Sequence, residues 1–475
     1  PVSADRPASA PPPSTQLSYA HKEIPVAIVA VSPAVSRAPF SGTPAQAAVR
    51  LARAGLYSEY MVYEREGAWW YAGGVRARLV VDRTHVTLEH GGNRVRTPWE
   101  GEPLEHVHRM LSSLPCPEWR AYGWSTFELS YALAGERADL GEEPLIHLVV
   151  PETEVRLTAD GAELRCSGTH DAATVADRLV AEPGPERGEF APLPVDLGGP
   201  AESGYREAVS RAVAEIRDGE LQKVILSRAV QVSGDLDLPE TYLAGRSVNS
   251  PARSFLFDLG GMEAAGFSPE TVVEVSADGR VSTQPLAGTR ALSGDAGEDA
   301  ARRAELLTDA KEIYEHAISV QVAWDEMARV CREGSVRAEE FMTVKERGSV
   351  QHIASRVSGE LPSGDSGPWP ALAAVFPAVT ASGVPKRAAY RAIRGLEQGA
   401  RGLYSGAVLT VGSDGSLDAA LVLRTVFRQH GRTWLRAGAG IVGQSLPERE
   451  FEETCEKLRS VSRTLVRARG RQEGA

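Results

Sequence analysis

The chain has 475 residues, 42% hydrophobic and 24% charged, the balance of an ordinary globular protein. Its 63 Asp and Glu outnumber its 52 Lys and Arg, giving a formal charge of −11, and a field of that sign opposes binding to nucleic acid or an anionic membrane. No apolar run approaches the roughly 20 residues of a membrane helix, and Cys116, Cys166, Cys331 and Cys455 stand far apart, so reduced thiols in a cytoplasmic protein are expected rather than a zinc site or a disulfide framework.

In chain order, residues 1–15 are rich in Pro, Ala and Ser, and a disordered lead is expected over 1–20. Residues 24–31 read as a first strand rather than a signal peptide. An N-terminal part over 21–181 shows strand patterns at 69–71, 77–81 and 147–150 and a helix at 102–114. Residues 182–204, dense in Pro and Gly, read as a connection. The part over 205–467 opens with a helix at 205–218, apolar at Val209, Val213 and Ile216, and continues with strands at 223–227, 254–257 and 271–275. One long helix is expected over 298–329, with Ile313, Ala317, Val320 and Ala323 on one face. Strands at 407–410, 420–424 and 433–437 follow, and residues 468–475 form a tail. Many neighbouring strands without intervening helices predict antiparallel or mixed sheets.

Gly438, Gly440 and Gly443 form a GxGxxG pattern. A dinucleotide reading is disfavoured, because the helix start falls later, at Ser445-Leu446-Pro447-Glu448, and no second parallel strand follows. What survives is that glycines let backbone N–H groups approach an anion. Glu312 and Glu315 share one helix face, and Glu450 and Glu453 repeat that spacing. Either pair alone is an ordinary solvated face; two pairs suggest a shared hard-cation site, for which magnesium fits. His316 points about 100° away around the helix. Lys223 opens an apolar strand, where a lysine either reaches solvent or acts as a base. Glu270, in the turn Gly266-Phe267-Ser268-Pro269-Glu270, is either an exposed turn carboxylate or the complementary acid.

Taken in order, KVILSR (223–228), GFSPE (266–270), QPLAGTR (284–290), KEIYEH (311–316), SVQHIASRV (349–357), FPAVTASGVPK (376–386), GLYSGAV (402–408), LVLRT (421–425), AGAGIV (437–442) and PEREFEETCEKL (447–458) resemble the chorismate-utilising enzymes, the family of anthranilate synthase component I. The resemblance covers nearly all of 205–465 and is weaker before it. It implies an α/β (α+β) fold, a large two-sheet αββα sandwich with mainly antiparallel sheets and the active site in the C-terminal part.

Within the family, the stretch TVKERGSVQHIASRV and the chain's end look most like the salicylate synthases, with isochorismate synthases as close neighbours. Lys223 stands where ammonia-using anthranilate synthases carry Gln, and Ala287 where aminodeoxychorismate synthases carry a nucleophilic lysine. An ammonia-using activity and a covalent-lysine mechanism are therefore disfavoured. The resemblance implies chorismate as substrate, with Lys223 as base, Glu270 as acid and His352 near the reacting side. It implies Leu286, Gly288, Thr289 and Thr380 around the ring, and Tyr404 and Arg424 on the pyruvyl carboxylate. Gly438, Gly440 and Lys457 would add anion contacts. Magnesium would lie on Glu315 and Glu453, with Glu312 and Glu450 behind them. A monomer without a glutamine amidotransferase, serving siderophore or other secondary metabolism, is expected.

Overall fold

Runs of β-branched and aromatic residues broken by turn glycines build long sheets in which every pairing among the named strands is antiparallel. The computed structural model describes residues 34–116, 118–181, 192–199, 201–348, 350–364 and 366–468. The expected lead, the strand at 24–31 and the tail beyond 468 lie outside them.

Among the described residues there are two sheets, of 11 and 12 strands. The first runs from Val35–Ala38 through Tyr60–Arg65, Arg253–Leu259, Met262–Ser268, Thr425–Gln429 and Arg432–Ile441 to Lys223–Gln231 and the short Gly383–Val384. The second runs from Leu286–Ala291 through Val350–Glu360, Thr271–Val275, Leu417–Leu421 and Ala407–Gly412 to Arg120–Ser125, Ile146–Val150 and the outer strand Asn93–Pro98. Both sheets mix strands from before and after the 182–204 connection. Tyr60–Arg65 pairs with Arg253–Leu259, and Arg120–Ser125 with Ala407–Gly412.

Met61, Tyr63, Tyr122, Trp124, Phe255, Phe257, Val408 and Phe427, drawn from both sheets, pack into one buried cluster between them. Helices cover the outer faces. Pro44–Arg53 and Leu238–Val248 join a core with the first sheet, and Pro103–Ser112, Ala310–Ala328 and Trp369–Val375 one that includes the second. The molecule is thus an α/β two-sheet sandwich with mainly antiparallel sheets.

Several elements differ from the sequence reading. The expected helix over 298–329 is two helices, Ala296–Leu306 and Ala310–Ala328. Asp309 separates them, its side chain accepting the N–H groups of Lys311 and Glu312 and so starting a new helix. The helix expected from 205 begins at Ala201, inside the expected connection. The strand expected over 420–424 ends at Leu421, and Arg424 turns left-handed at φ +50°. The glycines of the GxGxxG pattern lie in or just beyond the antiparallel strand Arg432–Ile441, which removes the dinucleotide reading. Ser445 does not cap the last helix. Its hydroxyl accepts the N–H of Val442 at 3.1 Å, and Pro447–Ser462 begins with Pro447 and no side-chain cap.

Candidate active site

Lys223, at the start of Lys223–Gln231, is 1% exposed. Its Nζ pairs with Glu315 Oε1 at 2.8 Å and reaches Ser319 Oγ at 3.4 Å, both on Ala310–Ala328. The lysine therefore faces across to a carboxylate helix and does not reach solvent. Glu270 lies in the crossing between the two sheets and is also buried. Its Oε1 accepts the Thr380 hydroxyl at 2.5 Å. Burial pushes its pKa up to about 8, although the Thr380 hydrogen bond, the charge of Lys223 and the Leu286 N–H each favour the ionised form. At neutral pH Glu270 is therefore largely a neutral acid.

These groups share one cavity of about 710 Å³, and fifteen of the sixteen site residues expected from the sequence line it, all but Glu450. At one end stands His352, bracketed by Thr289 Oγ1 on Nδ1 at 2.9 Å and by Arg424 Nη2 on Nε2 at 2.9 Å. A guanidinium only donates, so Nε2 accepts and the proton sits on Nδ1. Burial, then the charges of Arg424, Lys457 and Arg347, hold this histidine well below its usual range, and so neutral. Arg424 donates besides to the Arg347 carbonyl at 3.2 Å and pairs with no carboxylate among the described residues. Burial and the neighbouring Arg347 lower its pKa to about 10. It is a fixed cation on a left-handed turn, a backbone state that persists only where its surroundings impose it. The buried Tyr404 comes from the turn before Ala407–Gly412.

The four helix carboxylates each meet a cation. Glu315 pairs with Lys223, Glu453 with Lys457 at 2.8 Å, Glu312 with Arg290 at 3.1 Å and Glu450 with Lys311 at 3.7 Å. Among the described residues no three His, Cys, Asp or Glu side chains converge as a metal cage. Burial, then the proximity of Glu315, raises the pKa of Glu312; burial, then Glu453, raises that of Glu450. Burial acts the same way on Glu453, but Lys457 outweighs it and holds that carboxyl low. Glu450 Oε2 is buried without a hydrogen-bond partner. Two glycines leave room for the pairs. A Cβ on Gly440 would lie 2.8 Å from Glu315 Oε1, and one on Gly288 3.1 Å from Glu312 Oε2.

Gly288 sits at φ +83° in a bulge of Leu286–Ala291. The Gly438 carbonyl accepts Lys457 Nζ at 2.9 Å and so points away from Lys223–Gln231. In an extended strand the N–H of the same residue, and of the residue two further on, points the same way. The Gly438 and Gly440 amides thus face the carboxylate side. The arrangement combines a buried lysine, a protonated glutamic acid, hard oxygen donors and an unpaired arginine. It suits proton transfer on an anionic substrate.

The sequence matches the profile of the chorismate binding enzymes over residues 58–463. The chain belongs to the chorismate-binding enzyme family. The salicylate synthase of Mycolicibacterium paratuberculosis is 43% identical over 430 residues, 89% of this chain and 94% of that protein. The anthranilate synthase component 1 of Thermus thermophilus is 38% identical over 331 residues, 68% of each chain. Among solved structures, the menaquinone-specific isochorismate synthase of Escherichia coli superposes with a TM-score of 0.67 at 19% identity, covering 91% of this chain and 95% of that one. Anthranilate synthase component I of Streptococcus pneumoniae gives 0.65 at 23% identity, covering 94% and 96%. These two likenesses bear on the fold. No helix among the described residues is long and apolar enough to cross a membrane.

For this chorismate-binding chain, reading the sequence missed the cations that answer the carboxylates. Lys311 feels all four glutamates, and Arg290 ties Glu305, Asp309 and Glu312 together. Both lie inside quoted motifs, KEIYEH and QPLAGTR. Glu312 and Glu315 stand beside Lys311 within KEIYEH, but Glu450 and Glu453 and the partners of Arg290 are distant in sequence, so only alternation of sign within the motifs hinted at them.

Proposed function

We propose that the chain is a magnesium-dependent salicylate synthase acting on chorismate. The observation that carries the reading is the joint placement of buried Lys223 and protonated Glu270 on one cavity, with the 43% identity to a salicylate synthase along most of the chain. Lys223, in its neutral amine form, would take a proton from the water that adds at ring C2. Glu270 would give one to the hydroxyl leaving C4 as water, so the first step is an isomerisation to isochorismate. Arg424 and Tyr404 would hold the pyruvyl carboxylate, the arginine through its planar fork. Leu286, Gly288, Thr289 and Thr380 would bound the ring, and neutral His352 would orient Arg424 and Thr289 beside it. Loss of pyruvate to give salicylate moves hydrogen from C2 to the pyruvyl methylene. It needs no further acid or base, only an arm held over the ring.

The carboxylate set fits a hard dication: its donors are all oxygen, one buried oxygen of Glu450 lacks a partner, and glycines clear space for Glu315 and Glu312. Glu315 and Glu453 would hold magnesium, with Glu312 and Glu450 behind them. When bound it supplies positive charge to offset the repulsion between the ring carboxylate and an acidic wall. Gly438, Gly440 and Lys457 would complete the anion contacts. With water as nucleophile, the enzyme would work as a cytoplasmic monomer without a glutamine amidotransferase, its product feeding a siderophore or other secondary metabolite.

Incubation of the purified protein with chorismate and magnesium, read by chromatography, is expected to give salicylate and pyruvate. Isochorismate without pyruvate would make it an isochorismate synthase, and anthranilate with added ammonium an ammonia-using enzyme. No consumption of chorismate would end the proposal.

A further inference from the structure

Behind the cavity wall lies a charged cluster that the mechanism above does not use. Glu397, with its side chain 2% exposed, serves two arginines that are also buried, Arg401 and Arg436. Its Oε1 accepts Arg401 Nη2 at 2.5 Å and the Ser227 N–H at 2.7 Å; its Oε2 accepts Arg401 Nε at 3.0 Å and Arg436 Nη2 at 2.6 Å. The remaining Arg401 donors go to two backbone carbonyls: Nη1 to Ala381 at 2.7 Å and Nη2 to Ile225 at 2.6 Å. Ile225 is two residues from Lys223 on the same strand, so its side chain shares the lysine's face. Ala381 follows Thr380, the donor to Glu270. A single planar fork thus spans the strand of the lysine and the turn that holds the acid.

The charge of the cluster is also informative. Two guanidiniums share the Glu397 carboxylate; burial raises the pKa of the next acid, Glu128, whose Oε1 accepts the backbone N–H of Arg401 at 2.8 Å. Burying two guanidiniums on one carboxylate is costly to desolvate. Both guanidiniums lie beside the Tyr404 ring, at 5.9 and 5.7 Å from its centroid, and Arg436 reaches the cavity lining.

We propose that Arg401 is a positioning residue that sets the separation of Lys223 from the Thr380–Glu270 pair, and that Arg436 supplies fixed positive charge behind Tyr404 for the substrate's carboxylate. This rests on the synthase reading above. It assigns the two arginines different kinetic signatures. Misplacing reacting groups costs turnover, by about 10²-fold for 1 Å, whereas weakening charge behind a binding group costs affinity.

The test is steady-state kinetics of Arg401→Lys and Arg436→Gln with chorismate and magnesium over a range of pH. Thermal unfolding confirms the fold, and Arg394→Met, which loses the Glu136 and Asp139 pairs and a cation–ring contact with Tyr131, controls for general weakening. A lysine keeps the charge but cannot span both carbonyls. Folded Arg401→Lys is expected to lose at least about tenfold in kcat with KM within about threefold. Its alkaline limb should move up in pH, because a loosened Thr380 bond no longer favours ionised Glu270. Folded Arg436→Gln, which removes the charge, is expected to raise KM with kcat retained. If both variants fold and match wild type in kcat, KM and alkaline limb, the proposal is wrong. If Arg401→Lys fails to fold while Arg394→Met is normal, Arg401 is a scaffold residue and the positioning role falls. A wild-type protein that leaves chorismate untouched removes the synthase reading and this one with it; wild-type turnover with indifferent variants removes only this one.

Discussion

At the residue scale the chemistry turns on protonation. Glu270 keeps its proton up to about pH 8 because burial disfavours its charge. An enzyme that uses it as the acid should lose kcat as pH rises through about 8, and a pH profile checks this. Folding responds with the same sign. The folded pKa exceeds the ordinary 4.5, so this group favours the folded state most below that value, and the advantage is lost as pH climbs to about 8. Removing the Thr380 hydroxyl by Thr380→Val should move the alkaline limb upward, since that hydroxyl favours the carboxylate form. Lys223→Gln removes the proposed base and leaves Glu315 without its closest cation. Formation of isochorismate and salicylate should fall below detection. The melting temperature should also drop, as expected when one partner of a buried pair is removed, a loss on the order of 3 kcal/mol.

At the element scale, what was legible depended on whether the signal was local. The i, i+3 spacing of Glu312 with Glu315 and of Glu450 with Glu453 brought out both carboxylate pairs, because helical periodicity is local. The break before Ala310–Ala328 stayed hidden, since the apolar stripe continues across it and Asp309 looks like any acidic residue until its side chain turns back on the Lys311 and Glu312 amides. Arg424 could be named, but its left-handed backbone could not, because that state follows from packing at the end of a strand rather than from its own sequence. The Glu397–Arg401–Arg436 cluster was hidden because only its first two members are neighbours, four residues apart after Lys386–Leu396, while Arg436 comes from the distant strand Arg432–Ile441. Asp309 also accepts Arg290 Nη2 at 2.7 Å. Asp309→Ala should therefore cost about 1–2 kcal/mol in urea unfolding for the lost cap. It should also weaken the proposed magnesium binding by calorimetry, because Glu312 and Glu315 ride on the first turns of that helix.

At the scale of the molecule, the motif series implied one large α/β fold through its family resemblance, and the structure shows how its halves depend on each other. The N-terminal strands Tyr60–Arg65 and Arg120–Ser125 each pair with an N-terminal neighbour on one side and find their second partner across the connection, in Arg253–Leu259 and Ala407–Gly412. Residues 205–475 expressed alone would expose both partner edges and should collect in the insoluble fraction. Recovery of a soluble fragment that turns over chorismate would contradict this. The closure of one sheet also bears on how the chain is made. At roughly 5–20 residues per second, the Arg120–Ser125 edge leaves the ribosome tens of seconds before its neighbour Ala407–Gly412 exists. Until then a nascent chain carries an unfinished sheet with an open, hydrogen-bonding rim. That intermediate needs shelter until Ala407–Gly412 emerges, and the sheet can close only then.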